Sequence, residues 1–294
     1  MNDLLTRYGP VLTSLFAALT AFWLLMLVIL PNIYLFESSF RPYLPIVEVG
    51  GEKDFYSVSN YLKFFDSPIH IRVFFSTIIY SSIVTVICFA IAYPLAYYLA
   101  KVATLRAVPT IFLLLFIPLW VSEILRSFAW FIILSLKGPL NFGLIGLGII
   151  DDPIRWMTGF QSIMIGLVYT YVLFMLFPLY NAVQSLDTNQ IEAAEDLGAP
   201  WWRTHLRVIL PHCKPGIASG SVMVFMLSAG SILVPTLLAS TNSRWFTEII
   251  QQWMFESQDW NTGSAYAFLL LILCTVFVSV VMRLFRVKLS DIAK

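Results

Sequence analysis

Residues 160–217 read FQSIMIGLVYTYVLFMLFPLYNAVQSLDTNQIEAAEDLGAPWWRTHLRVILPHCKPGI, and this stretch decides the fold. From Trp156 to Leu186 no charged residue occurs; a polar segment with Asp187, Glu192, Glu195, Asp196, Arg203, Arg207 and Lys214 follows; Pro215–Ser243 is charge-free again. A hydrocarbon layer about 30 Å thick is crossed by about 20 apolar residues in helix. Only helices or closed barrels satisfy their own backbone polar groups there. The pattern therefore predicts two membrane helices joined by a polar loop.

Working outward, Tyr8–Phe36, Val73–Ala100 and Trp260–Met282 are further charge-free stretches of spanning length. Ala107–Ser122 is short and reaches full length only by running on through Glu123 and Arg126. The expectation is an all-α integral membrane protein with six transmembrane helices near 12–34, 74–99, 107–127, 160–182, 216–239 and 263–284. Composition agrees: 59% of the 294 residues are hydrophobic and 12% charged, against about 45–50% and about 25% in soluble domains. The first apolar run follows Arg7 but is too long for a signal-peptide core, so it reads as a retained helix. A net charge of +1 argues against a nucleic-acid partner, leaving lipid as the main solvent. Cys88, Cys213 and Cys274 have neither disulfide nor metal spacing and read as apolar fillers.

An even number of spans puts both ends on one side. Total basic charge barely separates the two sides, but short flanking segments dominate the orientation bias. Lys101 with Arg106, and Arg283 with Arg286 and Lys288, lie beside spans without acids, whereas the opposite loops are rich in Glu and Asp. Both termini are therefore expected in the cytoplasm. The expected organisation is a first helix with a long outer loop (1–71), a core of five helices (72–284) and a tail (285–294). Aromatic residues in the long loop (Phe55, Tyr56, Tyr61, Phe64, Phe65) predict packing against the protein. Lys137-Gly138-Pro139 marks turns in the second outer loop. In the third outer loop, near 240–262, Trp245, Ile249 and Trp253 share a helical stripe. That stripe suits either a helix resting on headgroups or a docking surface.

The polar loop itself predicts two short helices. Asp187 with Gln190 starts the first, Ile191, Ala194 and Leu197 form its apolar edge, and Gly198 ends it. Pro200 opens the second, on which Trp202, Leu206 and Ile209 share a face, and Pro211 is expected to stop it. The result is a compact knob in the cytoplasm, a docking element by its shape.

Glu192-Ala193-Ala194, then Gly198, Leu210 and Pro211, with Val208 in place of Ile, resemble at matching spacing the EAA loop of bacterial ABC importer permeases. The resemblance implies the type I importer transmembrane fold and a bacterial inner-membrane location. It also implies coupling to an ATPase dimer through Glu192, Ala193, Ala194, Asp196, Gly198 and Pro211. A second homologous permease subunit and a periplasmic solute-binding protein would complete the assembly. ATP and Mg would bind the partner ATPase subunit and no cofactor this chain, which has no Gly-rich phosphate loop ending in Lys-Ser or Lys-Thr.

Ile117-Pro118-Leu119-Trp120, Lys137-Gly138-Pro139-Leu140-Asn141, Ile165–Tyr169, Pro178-Leu179-Tyr180 and Asp259-Trp260 are similar to the first permease subunit of spermidine/putrescine systems. That implies a polyamine cargo; permeases for phosphonates, opines, iron or amino-acid-like solutes share much of the frame. Candidates to line the path are Glu123, Trp130, Tyr169, Tyr171 and Ser228. Glu123 would either meet a cation or pair with Arg126 three residues on. The aromatics would either hold ammonium groups or pack. A secondary transporter would need charges or broken helices near the midplane. An intramembrane enzyme would need a catalytic constellation, and His70, His205 and His212 lie outside the expected spans.

Overall fold

The computed structural model describes residues 2–44, 48, 51, 54–104, 106–240 and 242–287, and every regular element among them is helical. Lys53, Lys288 and Lys294 lie outside the described residues, as do the side chain of Arg7 and the expected tail beyond Val287. Among the described residues, Val11–Ser39, Pro68–Val102, Glu123–Gly146, Phe160–Gln184 and Trp260–Phe285 are each long and apolar enough to cross a membrane. A sixth candidate, Trp201–His212 with Lys214–Ala229, is a pair bent by 72°.

Two of the expected spans are not continuous helices. In the third, Ala107–Trp120 ends where Val121 and Ser122 turn extended, and a new helix runs Glu123–Leu134. The apolar length also continues past 127, to Gly146, rather than ending in the first turn after Glu123. In the fifth, Lys214–Ala229 stops at Gly230 and helix resumes over Leu233–Leu238.

Two compact units divide the chain. The larger comprises Pro68–Ile249 and the segment from Leu270 on. Its core is where the second, fourth and fifth spans meet. Val84, Cys88, Ala92 and Ala96 pack with Ile163, Leu167, Met175, Leu176, Leu179 and Val183, and with Ile217 and Val224. Small residues set the closeness of this crossing. A Cβ on Gly216 would lie 2.5 Å from the Pro178 carbonyl oxygen, and one on Gly220 2.7 Å from Met175 Sδ. Lipid tails are as apolar as the side chains, so association of such helices rests on close packing, which glycine permits.

The smaller unit comprises the residues up to Ser67 and Ile250–Leu269. Within it the first loop is tied down by polar contacts. Asn60 donates to the carbonyls of Ser39 and Arg41, Arg41 pairs with Glu37 at 2.6 Å and Asp54 at 3.2 Å, and Lys63 pairs with Asp259 at 3.2 Å. Phe64 is buried edge-on to Tyr266, while Phe55, Tyr56 and Phe65 stay exposed, so only part of the expected aromatic set packs.

The stripe Trp245–Ile249–Trp253 is buried at its first two positions and half-buried at the third, so Trp245 and Ile249 face the protein interior rather than headgroups or a partner. The reason is the break in the fifth span, which frees carbonyls in a region without water. Trp245 Nε1 donates to the Ser228 carbonyl at 3.1 Å and Thr247 Oγ1 to that of Ser231 at 2.6 Å. Segment 245–249 is drawn inward to satisfy the broken helix.

Candidate functional site

The loop between the fourth and fifth spans folds into the expected pair of short helices. Asp187 caps the first, Thr188–Asp196, by accepting from the Asn189 amide at 3.0 Å. Gly198 sits at φ +73°, a left-handed conformation that costs an L side chain about 1–2 kcal/mol. The Gly198 and Ala199 amides close on the carbonyls of Glu195 and Ala194, ending the helix within one turn. Pro200 stands just outside the second helix, which starts at Trp201.

Pro211 does not stop that helix. Residues His205–Ile209 form a π-turn and helix continues over Leu210–His212; the bend falls at Cys213. The wider turn spares the proline ring its clash with the carbonyl four residues earlier.

Burial sorts the knob into a seat and a surface. Ile191, Thr204 and Ile209 are buried and Ala194 is half-buried. Glu192, Ala193, Asp196, Gly198 and Pro211 are exposed, and with them Leu197 (88%), Trp201 (75%), Leu206 (58%) and Trp202 (48%). Leu197 is thus not part of the inner edge, nor do Trp202 and Leu206 share the buried face of Ile209, because the π-turn rotates the helix between them. The surface joins carboxylates to large exposed apolar side chains, a combination that marks a contact face. The signal missed was Leu197-Gly198: a side chain preceding a left-handed glycine is carried out with the turn.

The path candidates fall into two groups. Tyr169 and Tyr171 are two residues apart on one helix and so point about 200° apart. Tyr171 is buried and its hydroxyl donates to Glu123 Oε1 at 3.1 Å. Glu123 makes no ion pair with Arg126 among the described residues; it opens the helix after the Val121–Ser122 break, and the tyrosine holds it. Arg126 and Ser231 lie close enough to act on the Tyr171 hydroxyl, although Arg126 Nε and Ser231 Oγ are buried without a hydrogen-bond partner of good geometry. Ser228 is fully buried and its hydroxyl also lacks a partner. On the other side, Trp130 and Tyr169 meet edge-on at 5.5 Å and line a mainly apolar cavity of about 460 Å³ with Ile87, Ile91, Met164 and Gln161. The broken third span thus brings Glu123 and Arg126 to Tyr171 of the fourth, with Ser231 of the broken fifth beside them, whereas Trp130 and Tyr169 belong elsewhere. Among the described residues no group of three or more His, Cys, Asp or Glu side chains could hold a metal.

Apolar spans, two of them interrupted, with an exposed knob between the fourth and fifth, define an integral membrane protein. Residues 92–290 match the family described as binding-protein-dependent transport system inner membrane component. The chain is 33% identical over 274 residues to the spermidine/putrescine transport system permease protein PotB of Salmonella typhimurium (strain SL1344), covering 92% of this chain and 94% of that protein. PotB of Escherichia coli (strain K12) is also 33% identical, over 90% and 94% of the two chains. A bacterial ABC transporter involved in import of the acidic polysaccharide alginate shares the fold at TM-score 0.73 and 18% identity over 97% of both chains. The MetNI methionine ABC transporter aligns at TM-score 0.54 and 18% identity, over 74% of this chain and 94% of that one. The chain belongs to the binding-protein-dependent inner-membrane family and has the type I transmembrane fold: it is a multi-pass permease subunit of an ABC importer.

Proposed function

We propose that this permease imports a polyamine, spermidine or putrescine, as one half of a path shared with a second, homologous permease subunit. The observation that carries the cargo is the 33% identity, sustained over 92% of the chain, to permeases of spermidine/putrescine systems. A periplasmic solute-binding protein delivers the cargo, and both termini of the permease face the cytoplasm. The exposed knob around Glu192, Ala193, Ala194, Asp196, Gly198 and Pro211 seats in a dimer of ATPase subunits, which bind ATP and Mg and hydrolyse the nucleotide. No cofactor binds this chain. Its contribution is mechanical: the left-handed turn at Gly198 fixes the angle between the two knob helices, so that ATPase closure moves both as one piece.

In the membrane, Glu123 is the one carboxylate among the broken-span residues. With Tyr171 orienting it, it offers a polar point to a passing ammonium group. Uptake of labelled putrescine and spermidine into cells carrying this permease with its cognate subunits tests the reading. Competition by both polyamines is expected, together with at least tenfold loss in Gly198→Val. Uptake unaffected by excess polyamine would overturn the cargo, and wild-type uptake by Gly198→Val would overturn the role of the knob.

A further inference from the structure

The knob is joined covalently to the fourth and fifth spans, and one side-chain tie, between His212 Nε2 and Ser185 Oγ at 3.1 Å, runs to the end of the fourth; a further set runs to the second. Tyr93, Tyr97 and Lys101 recur every four residues at one end of that span and so lie on one stripe. Each meets a different part of the knob. Lys101 Nζ donates to the Leu186 carbonyl at the loop's entry. Tyr97 lies beside Glu195 of the first knob helix. Tyr93 Oη and His205 Nδ1 of the second knob helix are 2.6 Å apart, and Tyr93 also neighbours Cys213 at the loop's exit. The His205 ring is enclosed by aromatics: Tyr97 edge-on at 4.6 Å, Tyr93 at 5.8 Å and Trp201 at 5.7 Å.

We infer that the Tyr93–Tyr97–Lys101 stripe receives the knob's motion, and that the Tyr93–His205 hydrogen bond is the latch carrying it into the second span. This rests on the reading of the knob as the ATPase contact. His205 is a positioning residue: it acts through Tyr93 and touches no cargo. Three features suit it to the task. A bond between a phenol and a planar ring is directional, so it resists rotation as well as separation. The π-turn beginning at His205 widens the helix where the ring projects. Burial also lowers the His205 pKa below the ordinary imidazole value, which keeps the ring neutral near pH 7 and leaves Nδ1 free to accept the phenol proton. The second span then delivers the movement into the core, where its buried Val84, Cys88, Ala92 and Ala96 pack against the fourth span.

A bond that merely held the fold would, once cut, lower assembly, ATP hydrolysis and transport together. A latch, once cut, leaves hydrolysis running without transport. The measurement is solute moved per ATP hydrolysed, in vesicles holding the whole complex with its binding protein. Tyr93→Phe removes one oxygen and keeps the ring; His205→Ala removes the acceptor; His205→Gln keeps one. Tyr93→Phe and His205→Ala are each expected to lower the ratio at least fivefold with ATP hydrolysis within twofold of wild type. The double variant should be no worse than the weaker single, and His205→Gln should recover most of the ratio. An unchanged ratio in Tyr93→Phe, effects that multiply in the double variant, or parallel loss of assembly and hydrolysis would each overturn the latch. Gly198→Val, measured alongside, separates the two readings. If it uncouples while Tyr93→Phe does not, the knob keeps its role and the latch fails. If both transport as wild type does, the reading of the knob fails first.

Discussion

The knob at 187–213 and the interrupted third and fifth spans both break helices, and they do so to opposite ends. In the knob the break turns side chains outward, leaving Leu197 and Trp201 among the most exposed large residues described. In the spans it turns polar groups inward, leaving Ser228 and Ser231 hydroxyls and Arg126 Nε buried without partners. An exposed apolar face is stabilised once another protein covers it. A buried hydroxyl without a protein partner is satisfied by a water, an ion or a rearranged helix, and the knob holds one too, at Thr204.

The contrast can be broken at the packing that separates the two regions. Gly216→Val should have the largest effect. Its Cβ would fall 2.5 Å from the Pro178 carbonyl oxygen and 2.6 Å from Ala182 Cβ, and overpacking of this kind costs about 1–3 kcal/mol or more. The amount of protein recovered from membranes should fall several-fold, with both regions lost together; wild-type recovery would refute the close crossing. Next, Leu197→Asp with Trp201→Asp should leave membrane insertion intact and weaken co-purification of the ATPase subunits at least tenfold. Undiminished co-purification would remove the contact face.

Smaller effects probe the spans. Tyr171→Phe deletes the donor to Glu123, and a hydrogen bond to a charged group contributes about 1.5–3 kcal/mol; uptake should fall several-fold with ATPase binding unaltered. Ser228→Ala should cost under about 0.5 kcal/mol of stability, because no bond is lost. A marked thermal destabilisation would show that its hydroxyl is already satisfied. Smallest is a labelling difference at Cys213. Burial raises its pKa to about 11, so the thiolate is scarce at pH 7 and grows about tenfold per pH unit toward that value. Maleimide should label it slowly in the native protein at pH 7 and quickly after denaturation.

Much of this was readable in the chain. Long charge-free stretches placed the spans because lipid tolerates little else, and Asp187 and Gly198 fixed the ends of the first knob helix because capping is local chemistry. The failures are equally physical. The third span read as continuous because its apolar run passes Pro118 without a gap, although the helix ends two residues after that proline and Val121 is extended. Pro211 read as a stop because a π-turn leaves no one-letter signature. Trp245 and Ile249 read as a surface stripe because periodicity gives a face without saying what covers it.

By itself, then, the sequence determined the solvent of this protein, most of its apolar spans and the presence of a knob with a left-handed turn. Each follows from residues near one another in the chain. Only the tertiary structure decided which face of that knob is free, that the path candidates divide between Tyr171 and Tyr169, and that Trp245 and Thr247 satisfy a broken helix. Those are pairings between distant segments, and local propensity does not encode which side chain will meet which.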